Sequence, residues 1–188
     1  YYKNEVVQPC EVIAIDFCGP LQTNNQGKKY ILRIIDMCSR YISLTAVAKQ
    51  DEKTTVYTIM KFCILRYGAP RVIKVDCSKT FESKLIKELA MSHNIKLQFS
   101  SPYHHCANGL IERQFRTIRD LMNASLKDKL KKNWVELLPE IEFTLNATVQ
   151  STTGKSPAET IFGFRICREW RNNVNMSNDR TIDSLCSP

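Results

Sequence analysis

A chain of 188 residues is long enough for one well-buried domain and short for two, so a single domain followed by a tail is expected. Its 27 Lys and Arg against 19 Asp and Glu give a formal net charge of +8 and a pI near 9.1, which favours a polyanionic partner, nucleic acid first. No membrane partner is expected, because no apolar run approaches the roughly 20 residues of a spanning helix and no basic amphipathic anchor stands apart from the core pattern.

Cys10 to Phe17 (CEVIAIDF) is apolar on both faces, as a central strand requires, and Cys18-Gly19-Pro20 ends it. Asp16 therefore sits near a strand end. Residues 21–29 carry the Asn, Gln and Gly of a turn, and Tyr30–Asp36 and Tyr41–Ala48 read as two further strands of an antiparallel meander. Asp51 is placed to cap a helix whose stripe of Val56, Ile59, Met60, Cys63, Ile64 and Tyr67 fits the 3.6 period until Gly68 and Pro70 stop it. Arg71–Val75 is a short β-branched strand running straight into Asp76. A helix with Leu85, Ile86, Leu89 and Ala90 inward follows, then a fifth strand at Ile95–Phe99 and a loop at Ser100–Ala107.

From Asn108 onward, helical spacing places Asn108, Glu112, Arg116 and Arg119 on one polar face and Ile111, Phe115, Ile118, Met122 and Leu126 on an apolar one. Trp134, Leu137, Leu138, Ile141 and Leu145 describe another amphipathic helix, in which Pro139 either makes a kink or marks the true first turn. Ser156-Pro157-Ala158-Glu159 is a capping box that starts a short helix closed by Gly163. The expected division is a domain over 1–164 and a polar tail or linker over 165–188. The eight cysteines (10, 18, 38, 63, 77, 106, 167 and 186) show no C-x-x-C spacing and are expected reduced and structural; with His93, His104 and His105 they lack the paired spacing of a zinc site. The start YYKNE, with neither initiator Met nor signal pattern, reads as a piece of something longer.

This order of elements predicts an α/β fold, a five-stranded mixed sheet flanked by helices, in which ligands gather beyond the strand ends. Asp16 and Asp76 lie there, and Glu112 enters from a helix able to pack beside the same edge. Taken singly, a strand-end Asp is most often a turn or cap residue, and Glu112 with Arg116 makes an ordinary i,i+4 surface pair worth about 0.3–0.5 kcal/mol. Jointly, three converging carboxylates repel and call for a compensating cation. Oxygen-only ligation suits Mg²⁺ or Mn²⁺, and two such ions about 4 Å apart can clamp both oxygens of an in-line phosphoryl transfer. That is phosphodiester chemistry.

Six pieces carry a family resemblance: IDFCGPL (15–21), IIDMCSRY (34–41), a helix ending YGAP (67–70), VDCSKTFES (75–83), SSPYHHCANGLIER (100–113) and NATVQSTTGKSPAETIFG (146–163). In these the chain resembles the catalytic core of retroviral-type integrases, most closely those of gypsy-type long-terminal-repeat retrotransposons. Asp76 and Glu112 stand with the family's thirty-five residues between them. The resemblance implies a ribonuclease H-like fold in which Asp16, Asp76 and Glu112 hold two Mg²⁺ (or Mn²⁺) ions. These would activate first water, for trimming the element's DNA end, and then the freed 3′ hydroxyl, for attack on target DNA. Tyr103 and Asn108 match positions lining the active-site loop. Arg113, Arg116 and Arg119, with Lys127, Lys131 and Lys132, would neutralise phosphates of double-stranded DNA, although a solvated basic face accounts equally for the lysines. His104 and His105 read as loop residues.

Ser78 stands where the family usually carries Gly, Cys77 replaces a more usual polar residue, Phe115 a common Asn and Cys106 a frequent Gln. The family's flanking zinc module and C-terminal basic domain are not among these residues. Two rivals remain open: a domesticated, non-catalytic DNA-binding or interaction module, and a ribonuclease H-type nuclease acting on RNA in hybrids. Related cores pair through helices corresponding to 52–67 and 133–148, which implies a homodimer, a larger assembly once flanking domains and DNA are present, and a nuclear site of action.

Overall fold

The computed structural model describes residues 8–99, 116–120, 122, 133–151 and 153–166. Five strands form one sheet: β1 (Val12–Cys18), β2 (Tyr30–Asp36), β3 (Ile42–Val47), β4 (Val72–Val75) and β5 (Lys96–Phe99), in the order β3-β2-β1-β4-β5. The first three run antiparallel, as the meander predicts, and β4 and β5 join in parallel beside β1. The parallel steps need crossover helices, and the chain supplies them: α1 (Glu52–Ile59) precedes β4 and α2 (Lys84–Ser92) precedes β5. The central strand is the one whose sequence is apolar on both faces.

Helix starts follow the capping chemistry. Asp51 Oδ1 accepts the Thr54 N–H at 2.9 Å, and Ser156 Oγ accepts the Glu159 N–H at 3.1 Å at the head of a short helix, Pro157–Phe162, closed by left-handed Gly163. Between β2 and β3, the Asp36 carboxylate accepts the N–H groups of Cys10 and Ser39 and the Ser39 hydroxyl, fixing that turn. Gly19 is required just past β1: a Cβ there would lie 2.7 Å from the Lys29 carbonyl oxygen.

Two details depart from simple periodicity. The helix begun by α1 passes through a π-helical turn, Met60–Ile64, before a last α turn, Leu65–Tyr67, and the longer turn shifts which side chains face inward. Thr55 and Thr58 are buried beside Ile59 and Cys63, because each hydroxyl bonds back to a carbonyl four residues earlier, Asp51 and Thr54, at 2.7 and 2.8 Å. Pro139 lies inside α3 (Trp134–Ala147), whose first turn is instead capped by Asn133.

One face of the sheet, with Ile13, Ile15, Ile34, Ile73 and Val75, packs against Ile59, Cys63, Phe81, Ile86 and Leu89. The other face presents Ile31, Ile42 and Leu44 to Ile118, Met122, Trp134, Leu137 and Ile141. On that second side α3 covers the β3 edge with side-chain hydrogen bonds. The Asn146 amide pairs with both the N–H and the carbonyl of Ile42 at 2.8 Å, and Glu142 Oε2 accepts the Leu44 N–H at 2.7 Å. These bonds satisfy backbone groups that an open sheet edge would leave for another strand.

Candidate active site

Strand register brings the two aspartates together. β1 and β4 pair in parallel as Val12 with Val72, Ile13 with Ile73 and Ala14 with Lys74, so the same offset carried two residues on sets Asp16 level with Asp76. Adjacent strands lie about 4.8 Å apart. Because Ile13, Ile15, Ile73 and Val75 take one face, alternation gives Asp16 and Asp76 the opposite one, the face that Ile118 and Met122 cover. Asp16 occupies the fifth residue of β1, and Asp76 follows the last residue of β4.

Each carboxylate also organises its own backbone. Asp16 Oδ1 accepts the Phe17 N–H at 2.7 Å, and Asp76 Oδ1 accepts the Ser78 N–H at 3.0 Å. The turn-residue reading of Asp76 is therefore correct as far as it goes. Ser78 replaces the family's usual Gly without strain, since its φ is not among the positive ones. The loop after Asp76 is anchored by Phe81, fully buried with its ring 5.7 Å from that of Phe17, and by the Thr80 hydroxyl, which donates to the Gln50 carbonyl at 2.8 Å.

The electrostatics differ at the two positions. Asp76 is exposed, whereas burial pushes the Asp16 carboxyl above its ordinary range; the Arg33 guanidinium and the Phe17 N–H oppose that shift and the Asp76 charge adds to it. Arg33 stands directly opposite Asp16 on β2, wholly buried, with Nη2 3.7 Å from Asp16 Oδ2. Sequence reasoning missed it. A signal was available: in YILRIID the residues flanking it on the same face are Ile31 and Ile35, both destined for the interior, so position 33 had to follow them inward.

Residues 116–120 are helical, and Ile118 and Met122 are buried as the apolar stripe predicts. Arg116 and Arg119 are exposed on this segment. Arg119 lies near Cys18, two residues beyond Asp16 on the same strand face, and its positive charge opposes the burial that pushes the Cys18 thiol up. Tyr103, Asn108, Glu112, Arg113, Lys127, Lys131 and Lys132, with His104 and His105, lie outside the described residues. Cys10, Cys18, Cys38, Cys63 and Cys77 carry free thiols.

Among the described residues, no group of three or more His, Cys, Asp or Glu side chains gathers at one point. Asp16 and Asp76 make a pair. Two neighbouring carboxylates, the charge of Asp76 raising the proton affinity of Asp16, offer oxygen donors that fit a hard divalent cation of the Mg²⁺ or Mn²⁺ kind. Among the described residues no helix is long and apolar enough to cross a membrane.

The chain is 27% identical over 177 residues to the Pro-Pol polyprotein of simian foamy virus type 3, a match covering 94% of the chain and 15% of that protein. It is 25% identical over 151 residues to the retrovirus-related Pol polyprotein from transposon 412 of Drosophila melanogaster, covering 80% of the chain and 12% of that protein. The chain thus spans a small part of the polyproteins it matches. The solved structure of the HTLV-2 integrase catalytic core domain in complex with magnesium, in a trimeric form, superimposes with a TM-score of 0.68 at 22% identity, covering 82% of this chain and 97% of that one, which shows the shared fold. The family model of the integrase core domain matches residues 7–105, more than half of the sequence, and with the ribonuclease H-like sheet that carries Asp16 and Asp76 side by side the chain belongs to the integrase core domain family.

Proposed function

We propose that this chain is the catalytic core of a DNA integrase, which trims the ends of retroelement DNA and joins them to target DNA in the nucleus. The observation that carries this reading is the level placement of Asp16 and Asp76 on adjacent parallel strands, on the face against which Ile118 and Met122 pack. Glu112 lies six residues before Ile118 in the sequence, and in this reading it completes the ligand set. Two bound Mg²⁺ or Mn²⁺ ions would supply Lewis-acid activation of the attacking water or 3′ hydroxyl and stabilisation of the leaving oxygen. Magnesium accompanies the HTLV-2 core that shares this fold.

The chain's own residues have separate tasks in this reading. Asp16 and Asp76 are fixed by strand register and by the N–H groups of Phe17 and Ser78, so the ligands are set before any nucleic acid arrives. Exposed Arg116 and Arg119 would offer guanidinium groups to DNA phosphates, as would Arg113, Lys127, Lys131 and Lys132, and Tyr103 and Asn108 would serve the loop beside the reacting strand. In this reading residues 1–164 are the core and 165–188 a polar tail or linker. Two copies pair through the helices within 52–67 and 133–148, and flanking domains with DNA extend the assembly.

The deciding experiment is a strand-transfer assay with Mg²⁺ or Mn²⁺ and oligonucleotides matching the element's ends. Wild type is expected to yield joined products and Glu112→Gln none. Equal activity of the two proteins removes Glu112 from the site, hydrolysis of RNA–DNA hybrids without joining makes the chain a ribonuclease, and DNA binding without either reaction makes it a binding module.

A further inference from the structure

The Asp16 carboxylate already has a cation beside it. Arg33 lies at the centre of β2 with its side chain fully buried, and the β1–β2 register sets it directly across from Asp16, with Nη2 3.7 Å from Oδ2. Cross-strand partners on one face have Cβ atoms about 5 Å apart, so the contact is built into the sheet and does not depend on a surface rotamer. The flanking positions of the same row, Ile31 and Ile35, are aliphatic and fully buried, and an aliphatic side chain at 33 would continue that row without the several kcal/mol that burying an ion costs. Desolvation brings the Arg33 pKa down to about 10, which still leaves the guanidinium charged at neutral pH.

We propose that Arg33 is a built-in counter-cation of Asp16, a positioning residue that steadies this aspartate in the metal-free protein and competes with the divalent ion for its carboxylate. The inference rests on the metal reading above. Two effects of Arg33 oppose each other at such a site. Its fixed charge repels an incoming dication at close range in a poorly screened interior, and its contact pre-organises the ligand. Repulsion wins, because Asp16 is held independently by its strand and by the Phe17 N–H at 2.7 Å, so losing Arg33 leaves the ligand in place. The consequence is a site tuned toward weaker cation binding than the same two aspartates would show beside an aliphatic residue.

The test uses the full chain and Mn²⁺ alone as probe, read by titration calorimetry and by melting with and without the metal. Arg33→Met is expected to bind Mn²⁺ about tenfold more tightly or better, and to gain more in Tm on adding it than wild type does, while Arg33→Lys stays near wild type. A merely structural Arg33 would lower the metal-free Tm and leave Mn²⁺ affinity unmoved. An affinity of Arg33→Met within about twofold of wild type, or weaker, overturns the inference and leaves the metal reading standing. Should Arg33→Met not fold, Arg33→Gln, neutral and still able to hydrogen-bond, carries the same expectation. No Mn²⁺ binding by any of these proteins overturns the metal reading and the inference with it.

Discussion

The two faces of the sheet do different work with the same strands. On one, Ile13, Ile15, Ile73 and Val75 interleave with Ile59, Phe81, Ile86 and Leu89 in an apolar cluster. On the other, one residue further along β1 and β4, a buried guanidinium faces a half-buried carboxylate, and a second carboxylate lies level with it at the strand end. The difference shows how a strongly basic chain can align acidic groups. A slip of one residue between β1 and β4 would turn Ile13 and Ile15 out of their core, so the apolar face holds the register, and the register holds Asp16 beside Asp76. Stability on one side makes precision on the other possible.

The sharpest way to break this comparison is to set a substitution on each face side by side. Phe81→Ala removes a fully buried ring from the apolar side and is expected to cost about 3–5 kcal/mol in urea unfolding. It should also loosen the loop that follows Asp76, because Phe81 anchors that loop against Phe17. Asp76→Asn, at an exposed position, is expected to change stability by less than about 0.5 kcal/mol while abolishing strand joining. If Asp76→Asn unfolds the protein as readily as Phe81→Ala, the division of labour between the faces is wrong.

Much of this was legible in the sequence wherever a local rule sufficed. Asp51 and Ser156 announce their helices because a capping side chain acts within four residues, and the strand limits of Tyr30–Asp36 follow from a β-branched run between turn residues. The positions of Asp16 and Asp76 at strand ends were equally visible. Their alignment was not, because it depends on the pairing of two strands separated by some sixty residues. Arg33 was passed over for the same reason: its destination is set by its partner across the sheet. The inward threonines of α1 and the π-helical turn escaped because hydrophobic periodicity assumes a constant 3.6-residue turn and treats a hydroxyl as outward-facing, whereas Thr55 and Thr58 satisfy theirs on their own helix.

A third substitution sharpens how the site-bearing face is closed at its far edge. Asn146→Ala deletes both side-chain bonds to the Ile42 backbone and leaves a buried N–H and carbonyl with lost partners. The expected cost is about 1–3 kcal/mol, below that of Phe81→Ala, accompanied by faster hydrogen exchange at Ile42 than elsewhere in β3. Unchanged exchange at Ile42 would mean that α3 covers the edge by packing alone.

The smallest effect separates the edge-covering carboxylate from its amide. Burial pushes the Glu142 carboxyl above its ordinary range, opposed by the Leu44 N–H and by Arg66. A carboxyl whose folded pKa is raised contributes stability that is present below its unfolded pKa and is lost as pH rises through the folded value. Glu142→Gln keeps an oxygen for the Leu44 N–H and cannot ionise. Wild type and variant should therefore melt alike near pH 4, and the variant should become the more stable of the two as the pH approaches about 8. A Tm difference that stays flat across that range, or that favours wild type at the alkaline end, would show that Glu142 is held mainly by its attraction to Arg66, and that this edge of the sheet, like the interior around Arg33, depends on a retained charge.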